Sequence, residues 1–491
     1  MEQRESPVQP RFETTMFDAA PSSATHARNR NPFDHAELAS RQRLCAEAVR
    51  RMRDAGAKFV QLEFADLNSQ LRGKLAKVDK IKAAGIGVSS ALYALTYGEE
   101  LFAAPVGSYA DGFFNFLAVP DTDSIVHWSW KPAWCSVLHD IYWQDGRPCM
   151  MDPRQVLKQL VRRGEKQGLE FRVGVELEFH AFHADEATIR DKRYTELTPF
   201  GRIPNAFGLH RFPHFDDLAA EFMSRMDAIG APVEMFHTEL GRGCLEFSLS
   251  PLPALAAADA GARAKLYIKQ LFAERNLIVT FMSKWHHQEV ACGGHHHISL
   301  FQDGKNALHD PRSGDLSETG RHFVAGLSRT LPDLHLLFRP TVNTYRRFDV
   351  MGWNPENNAW GYENRIAALR FIKTSNPLGY RIENRCPGPD INPYLTIAAL
   401  VAGGLYGVEN KLDPPEPAVG NPKGDRRWEE LPRTLKASAE RLRGSTFARE
   451  WLGDDLVTFL VLKTEAEIKS WGDRRDPEVT VWEYDRYFES T

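Results

Sequence analysis

Absences set the first bounds on this chain. The six cysteines among 491 residues (Cys45, Cys135, Cys149, Cys244, Cys292 and Cys386) are scattered, and no Cys-x-x-Cys pair occurs. In a chain this long they read as reduced, mostly buried thiols of a cytoplasmic protein. The longest apolar run, near Thr396-Ile-Ala-Ala-Leu-Val-Ala-Gly-Gly-Leu405, is too short to span a bilayer. Acids and prolines stand at the N-terminus where a signal peptide needs an apolar segment. A formal charge of -4 gives no electrostatic case for nucleic acid or for an anionic membrane surface. No internal repeat and no coiled-coil heptad is visible. What remains is a soluble composition, 43% hydrophobic and 26% charged, long enough for two or more domains.

Residues 1–35 are polar and proline-bearing and read as a disordered or loosely attached arm. Leu38, Leu44, Ala48, Val49 and Met52 space a helix from Asp34 to about Ala55. Phe59-Val-Gln-Leu-Glu-Phe-Ala-Asp then alternates like a half-buried strand, and a turn at Asp66-Leu-Asn leads to a second strand from Leu71. Further strands are expected at Phe114–Asp121 and Trp134–Tyr142, so residues 36–147 form a small α+β domain. Asp145-Gly-Arg-Pro is a turn and marks the boundary to a second domain, 148–491. That domain opens on Asp152-Pro-Arg, an acidic N-cap with proline at the first helical position. Strands carrying acidic motifs then alternate with helices such as Ala254–Asn276 and Tyr394–Leu412. The stretch from Glu409 to Arg427 is rich in proline and glycine and reads as a surface loop.

Six side chains in the second domain suggest two adjacent hard-metal sites: Glu176 and Glu178, Glu239 and Glu246, His295, and Glu383. Alternation puts Glu176 and Glu178 on one strand face and the apolar Val173, Val175, Leu177 and Phe179 on the other. Carboxylates lining a cavity need compensating cations. In His295-His296-His297 the outer two share a face and His296 packs on the opposite one. Carboxylates with one imidazole suit magnesium or manganese, and nearby arginines at 346–347, 365, 370, 381 and 385 suit phosphates and carboxylates. Together these residues describe phosphoryl transfer to an acidic substrate.

The order of motifs resembles the glutamine synthetase family from about residue 36 to the C-terminus. The resemblance rests on Phe64-Ala-Asp66 with Arg72-Gly-Lys74, Pro120-Asp121, Asp152-Pro-Arg154, Gly174-Val-Glu-Leu-Glu178, Glu239 with Glu246, and Thr280-Phe-Met-Ser-Lys284. It continues through Gly294-His-His-His-Ile-Ser299, Asn343-Thr-Tyr-Arg-Arg347, Asn364-Arg365 with Arg370, and Arg381-Ile-Glu-Asn-Arg385 with Asn392-Pro-Tyr-Leu395. It implies an α+β fold: an N-terminal β-grasp-like domain and a large catalytic domain with a curved antiparallel sheet. It also implies ATP, two or more Mg2+ or Mn2+ ions, and L-glutamate as the acid. By the same resemblance, Glu178, Glu239 and Glu246 bind one ion, and Glu176, His295 and Glu383 the other. Arg347 and Arg385 clamp glutamate; Arg365, Arg370, Arg381 and His297 stabilise the transferring phosphoryl group; Ser299, with Arg370 and Arg381, meets the nucleotide. The resemblance further implies homo-oligomeric rings of six, usually stacked in pairs, in which a neighbour's N-terminal domain completes each site.

Two departures bear on the second substrate. Family members that use ammonia carry an acid where this chain has Gly87, and an acidic flap residue where ungapped counting places Trp353. Glycine leaves space, and tryptophan offers an apolar wall. The expected amine is therefore larger and less polar than ammonium, with an aromatic amine such as aniline foremost and a small alkylamine next, as in the γ-glutamylamide synthetase branch. Ammonia becomes the expected substrate if Glu356 or Glu363 supplies the flap acid. Cys244 and Val290 also depart from the family pattern near glutamate's amino end. A non-catalytic relative is the remaining reading, and the filled ligand and arginine positions argue against it.

Overall fold

The computed structural model describes residues 33–349, 353–474 and 476–491. Most of the expected N-terminal arm thus lies outside the described residues. Helix α1 (His35–Asp54) starts where the sequence places it, because the Asp34 carboxylate accepts the Glu37 amide at 2.8 Å. The first sheet holds β1 (Phe59–Ala65), β2 (Leu71–Lys77), β3 (Ile86–Ser89), β4 (Asn115–Pro120), β5 (Val126–His127) and β6 (Trp134–Tyr142). Its order is β2-β1-β6-β4-β3, with β5 also on β6, and β1–β6 is its parallel pair. One face buries Val60, Leu62 and Val137 with Cys45 of α1. Further along the same strands, Phe64, Val88, Phe116 and Ile141 belong to the main core.

Helix α2 (Pro153–Glu165) follows, capped by Asp152, which accepts the Arg154 amide at 3.0 Å. Arg154 itself is 1% exposed and ties three segments together. It meets Asp259 at 2.9 Å through Nε and Nη2, Asp140 at 2.5 Å and Asp121 at 2.9 Å. Such forks repay their dehydration only while every partner is present. Arg154→Met should therefore cost about 3–5 kcal/mol by stranding the acids. Denaturant unfolding measures this, and an unchanged midpoint would refute it.

Strand β7 (Leu169–His183) is the axis of the second sheet. On one side lie, in order, His296–Gln302, Arg381–Asn384, Leu369–Ile372 and Trp360–Tyr362; on the other lie Cys244–Leu249 and Val233–Thr238. Pairing along this path is antiparallel except between Trp360–Tyr362 and Leu369–Ile372. Val173, Val175, Leu177 and Phe179 are buried against the helical layer, as their alternation requires. In that layer, helices Glu318–Thr330 and Pro393–Glu409 cross closely through glycines. A Cβ on Gly326 would lie 2.2 Å from the Gly403 carbonyl oxygen, so a side chain there would separate the helices. Among the described residues, no helix is long and apolar enough to cross a membrane. All six cysteines are free and buried.

Candidate active site

The site is a row drawn across the second sheet. Antiparallel register sets Glu246 opposite Glu178, and His237 opposite Glu246. On the other side of β7, His297 stands opposite Gly174, Glu383 opposite His297, and Arg370 opposite Glu383. A cavity of about 580 Å³ is lined by all six candidate metal ligands, by Arg347, Arg365, Arg370, Arg381 and Arg385, and by His297 and Trp353. Residues separated by more than two hundred positions thus share one space.

Two groups of ligand atoms form within it, each with its atoms inside 4.8 Å of one another. The first is Glu176, His295 and Glu383, as expected from the sequence. His295 Nδ1 lies 2.9 Å from Glu176 and 3.6 Å from Glu383, and His297 Nε2 lies 3.5 Å from Glu176. Loss of water pushes Glu176 upward, but the hydrogen bonds from His295 and His297 win and hold its carboxyl well below the ordinary value. The second group is His237, Glu239 and Glu246. His237 was not among the expected ligands, although His237-x-Glu239 obeys the alternation that picked out Glu176 and Glu178. Its Nε2 lies 3.1 Å from Glu246. Glu178 faces this group from β7 without joining its tightest set.

Electrostatics distinguish the two. Burial, opposed by the His237 hydrogen bond, raises Glu246 to about 7. Burial and then the negative neighbours Cys292, Glu246 and Glu239 push Glu178 well above the ordinary glutamate value. Acids crowded in this way, three oxygen donors beside one imidazole, are a donor set that fits a hard divalent cation.

The arginines divide by what already holds them. Glu383, 1% exposed, accepts from Arg370 Nη1 at 3.0 Å and is also paired with Arg385. Arg381 Nε donates to His297 Nδ1 at 3.3 Å. Arg347 is buried with Nη1 on the Cys386 carbonyl at 2.8 Å, while its Nε has no hydrogen-bond partner among the described residues. Burial, then repulsion from Arg339, lowers its guanidinium to about 9. A buried donor held this way calls for an anion. Arg346, its neighbour in sequence, turns away to grip Glu483 at 2.7 Å and 2.8 Å.

Ser299 lines an adjoining cavity of about 420 Å³ that shares Glu176, His297 and Arg381 with the first. Its hydroxyl donates to the Tyr380 carbonyl at 2.8 Å. Trp353 borders the main cavity with 57% of its surface exposed. Of the two acids considered for the flap, Glu356 is taken by Lys423 at 2.6 Å and Arg433 at 2.5 Å, while Glu363 pairs with Arg370 at 2.5 Å. Gly87 is exposed on β3 and does not line this chain's own cavity.

Residues 150–487 match the family described as glutamine synthetase, catalytic domain. The chain belongs to the glutamine synthetase family. Its fold is the mixed α/β arrangement of that family, and its members are enzymes. Curated relatives include the γ-glutamylethanolamide synthetase GlnA4 of Streptomyces coelicolor, 32% identical over 437 residues, covering 88% of this chain and 92% of that one. The glutamate–isopropylamine ligase of a Pseudomonas species is 30% identical over 442 residues, 88% of this chain and 95% of its own. Among solved structures, a GmaS/ADP complex superposes with a TM-score of 0.74 at 27% identity, covering 89% of this chain and 98% of the other.

Proposed function

We propose that this glutamine synthetase family member is an ATP-dependent ligase joining the γ-carboxylate of L-glutamate to an amine larger and less polar than ammonium. One observation carries the reading. A single cavity gathers two carboxylate–imidazole groups and five arginines, and Trp353 borders it. Mg2+ or Mn2+ bound there would supply charge neutralisation at the ATP phosphates. Glu176, His295 and Glu383 would hold one ion; Glu239 and Glu246, with Glu178 and His237, the other. Arg347 offers its unsatisfied edge to a glutamate carboxylate, and Arg385 lies across the cavity for the same task. A cation on Glu383 would release the donors of Arg370 and Arg385 for substrate anions. Arg365, Arg370, Arg381 and His297 then face the γ-phosphoryl group in transit, with Ser299, Arg370 and Arg381 toward the nucleotide.

The γ-carboxylate oxygen attacks the γ-phosphorus and ADP leaves. The amine nitrogen attacks the acyl carbon of the γ-glutamyl phosphate, the acyl C–O bond breaks, and inorganic phosphate departs carrying the proton that the nitrogen gives up. Anilines reach this step neutral and need no carboxylate to bind a cation. Glu356 is engaged elsewhere and Glu363 is held by Arg370, which supports an aromatic amine as the sharpest assignment. A small alkylamine is the second reading, favoured by relatives named for ethanolamide and isopropylamine. Gly87 would act on the amine only in the pocket of a neighbouring subunit, so the working form is a homo-oligomeric ring.

Phosphate release with glutamate and Mg2+ across ammonium, methylamine, isopropylamine, putrescine, ethanolamine and aniline tests this, with products confirmed by mass. Aniline should lead and ammonium trail; preference for ammonium would make the chain a glutamine synthetase in the strict sense. In the same panel Trp353→Glu should move preference toward cationic amines by about tenfold, the effect of 1.4 kcal/mol at the pocket wall. An unchanged amine profile would remove Trp353 from the amine pocket.

A further inference from the structure

Farther along the same face of β7, beyond the carboxylate row, lies a chemically different cluster. His180 of β7 stands directly opposite Cys244 in the antiparallel register, and Cys292 reaches them from the segment leading to His295. One ligand atom from each of the three falls within 4.8 Å of the others, and all three residues are buried. His180 is buried, neither of its ring nitrogens meets a nitrogen or oxygen partner among the described residues, and the ring interacts with the Cys292 thiol. A fully buried imidazole answered only by a thiol, a weak hydrogen-bonding group, is poorly satisfied.

We infer that His180, Cys244 and Cys292 form a binding site for a thiophilic d10 cation, zinc(II) by preference, separate from the hard-metal clusters. The sulfur atoms are 3.7 Å apart. Two thiolates on one tetrahedral zinc, each at about 2.3 Å, stand roughly 3.8 Å from each other. A disulfide would need them at about 2.05 Å. Two sulfurs and one imidazole are a soft donor set that the adjoining oxygen-rich row does not duplicate. Magnesium, which demands oxygen ligands, would not compete for it. Entry is available too: Cys244 borders a cavity of about 290 Å³ that shares Glu239 with the active-site cavity.

The ion would work as a clamp. Cys292 precedes Gly293, whose carbonyl accepts the Glu178 amide at 3.0 Å, and Val290, Ala291 and Gly293 line the active cavity. Fixing Cys292 to His180 and Cys244 therefore fastens this wall to the central strand, positioning His295 beyond it. His180, Cys244 and Cys292 are positioning residues in this proposal.

The test is a cobalt(II) titration of the reduced, chelator-stripped full chain, without oxygen and in excess Mg2+ to fill the oxygen-rich groups. Thiolate-to-cobalt charge-transfer absorption should saturate at one equivalent per chain and vanish on adding Zn2+. Cys292→Ser and Cys244→Ser should each lose that band, whereas Glu383→Gln should keep it. Imidazole–carboxylate sites cannot produce it, so binding at the hard-metal groups is not mistaken for success. No thiolate band in the wild-type chain overturns the assignment, whatever the folding of the variants. An unreduced sample with four titratable thiols, the six cysteines less two, would also overturn it if peptide mapping places the bond between Cys244 and Cys292.

Discussion

Replacing Glu383 by alanine should lower ATP-dependent amide formation by about a thousandfold or more, the scale expected when preorganised charge is removed from a phosphoryl-transfer site. This carboxylate is the most connected group in the cavity. It meets Arg370 at 3.0 Å, His295 at 3.6 Å, and Arg385. In the proposed site its loss removes a cation ligand, takes away one of Arg370's two carboxylate partners and leaves Arg385 without its carboxylate. Glu383→Gln preserves shape but not charge and should be nearly as impaired. The measurement is phosphate release with glutamate and the preferred amine, read as kcat and KM separately. A variant that keeps substantial ligation would remove Glu383 from the ligand set.

The second large effect is on stability and depends on pH. Burial raises Glu246 to about 7; Glu178 lies well above the ordinary glutamate value and Glu239 is also raised, burial leading in each case. In the unfolded chain these groups titrate near 4.3. The folded form therefore binds more protons than the unfolded form over that interval. Without metal, the contribution of these acids to stability is full below about 4.3 and is lost as pH rises through 7. A divalent cation needs the deprotonated acids and so takes over the proton's role at high pH. Mg2+ or Mn2+ at about a hundred times its dissociation constant should add about 2.7 kcal/mol, provided it binds only the folded chain. The metal-induced rise in unfolding temperature should be larger at pH 8 than at pH 6 and should be reversed by chelator. Equal rises at both values would show that these acids are not the ligands.

Much of the site was legible because strand alternation is a local property. Glu176 and Glu178 announce themselves in Val-Gly-Val-Glu-Leu-Glu-Phe, and Asp34 and Asp152 mark helix starts that the structure reproduces. Other features depend on register between distant segments, which no local pattern carries. His237 gains meaning only because Val233–Thr238 pairs with Cys244–Leu249. Cys244 and Cys292, 48 positions apart, read as unrelated thiols until the fold sets them side by side. Nothing local separates Arg346 from Arg347, which only the family resemblance singled out; the fold sends one to Glu483 and the other into the cavity. The parallel pairing of Trp360–Tyr362 with Leu369–Ile372 likewise had no signal in composition.

Because the row of ligands runs across neighbouring strands, each side chain's presence in the cavity depends on a period of two. Inserting or deleting one residue inside β7 would turn Glu176 and Glu178 toward the helices and bring Val175 and Leu177 into the cavity. The connections bear no such constraint. Trp353, which lies outside the strands, can be replaced while the row stays in register. New amine preferences can thus arise at the cavity's walls, leaving the phosphoryl-transfer machinery on its strands untouched.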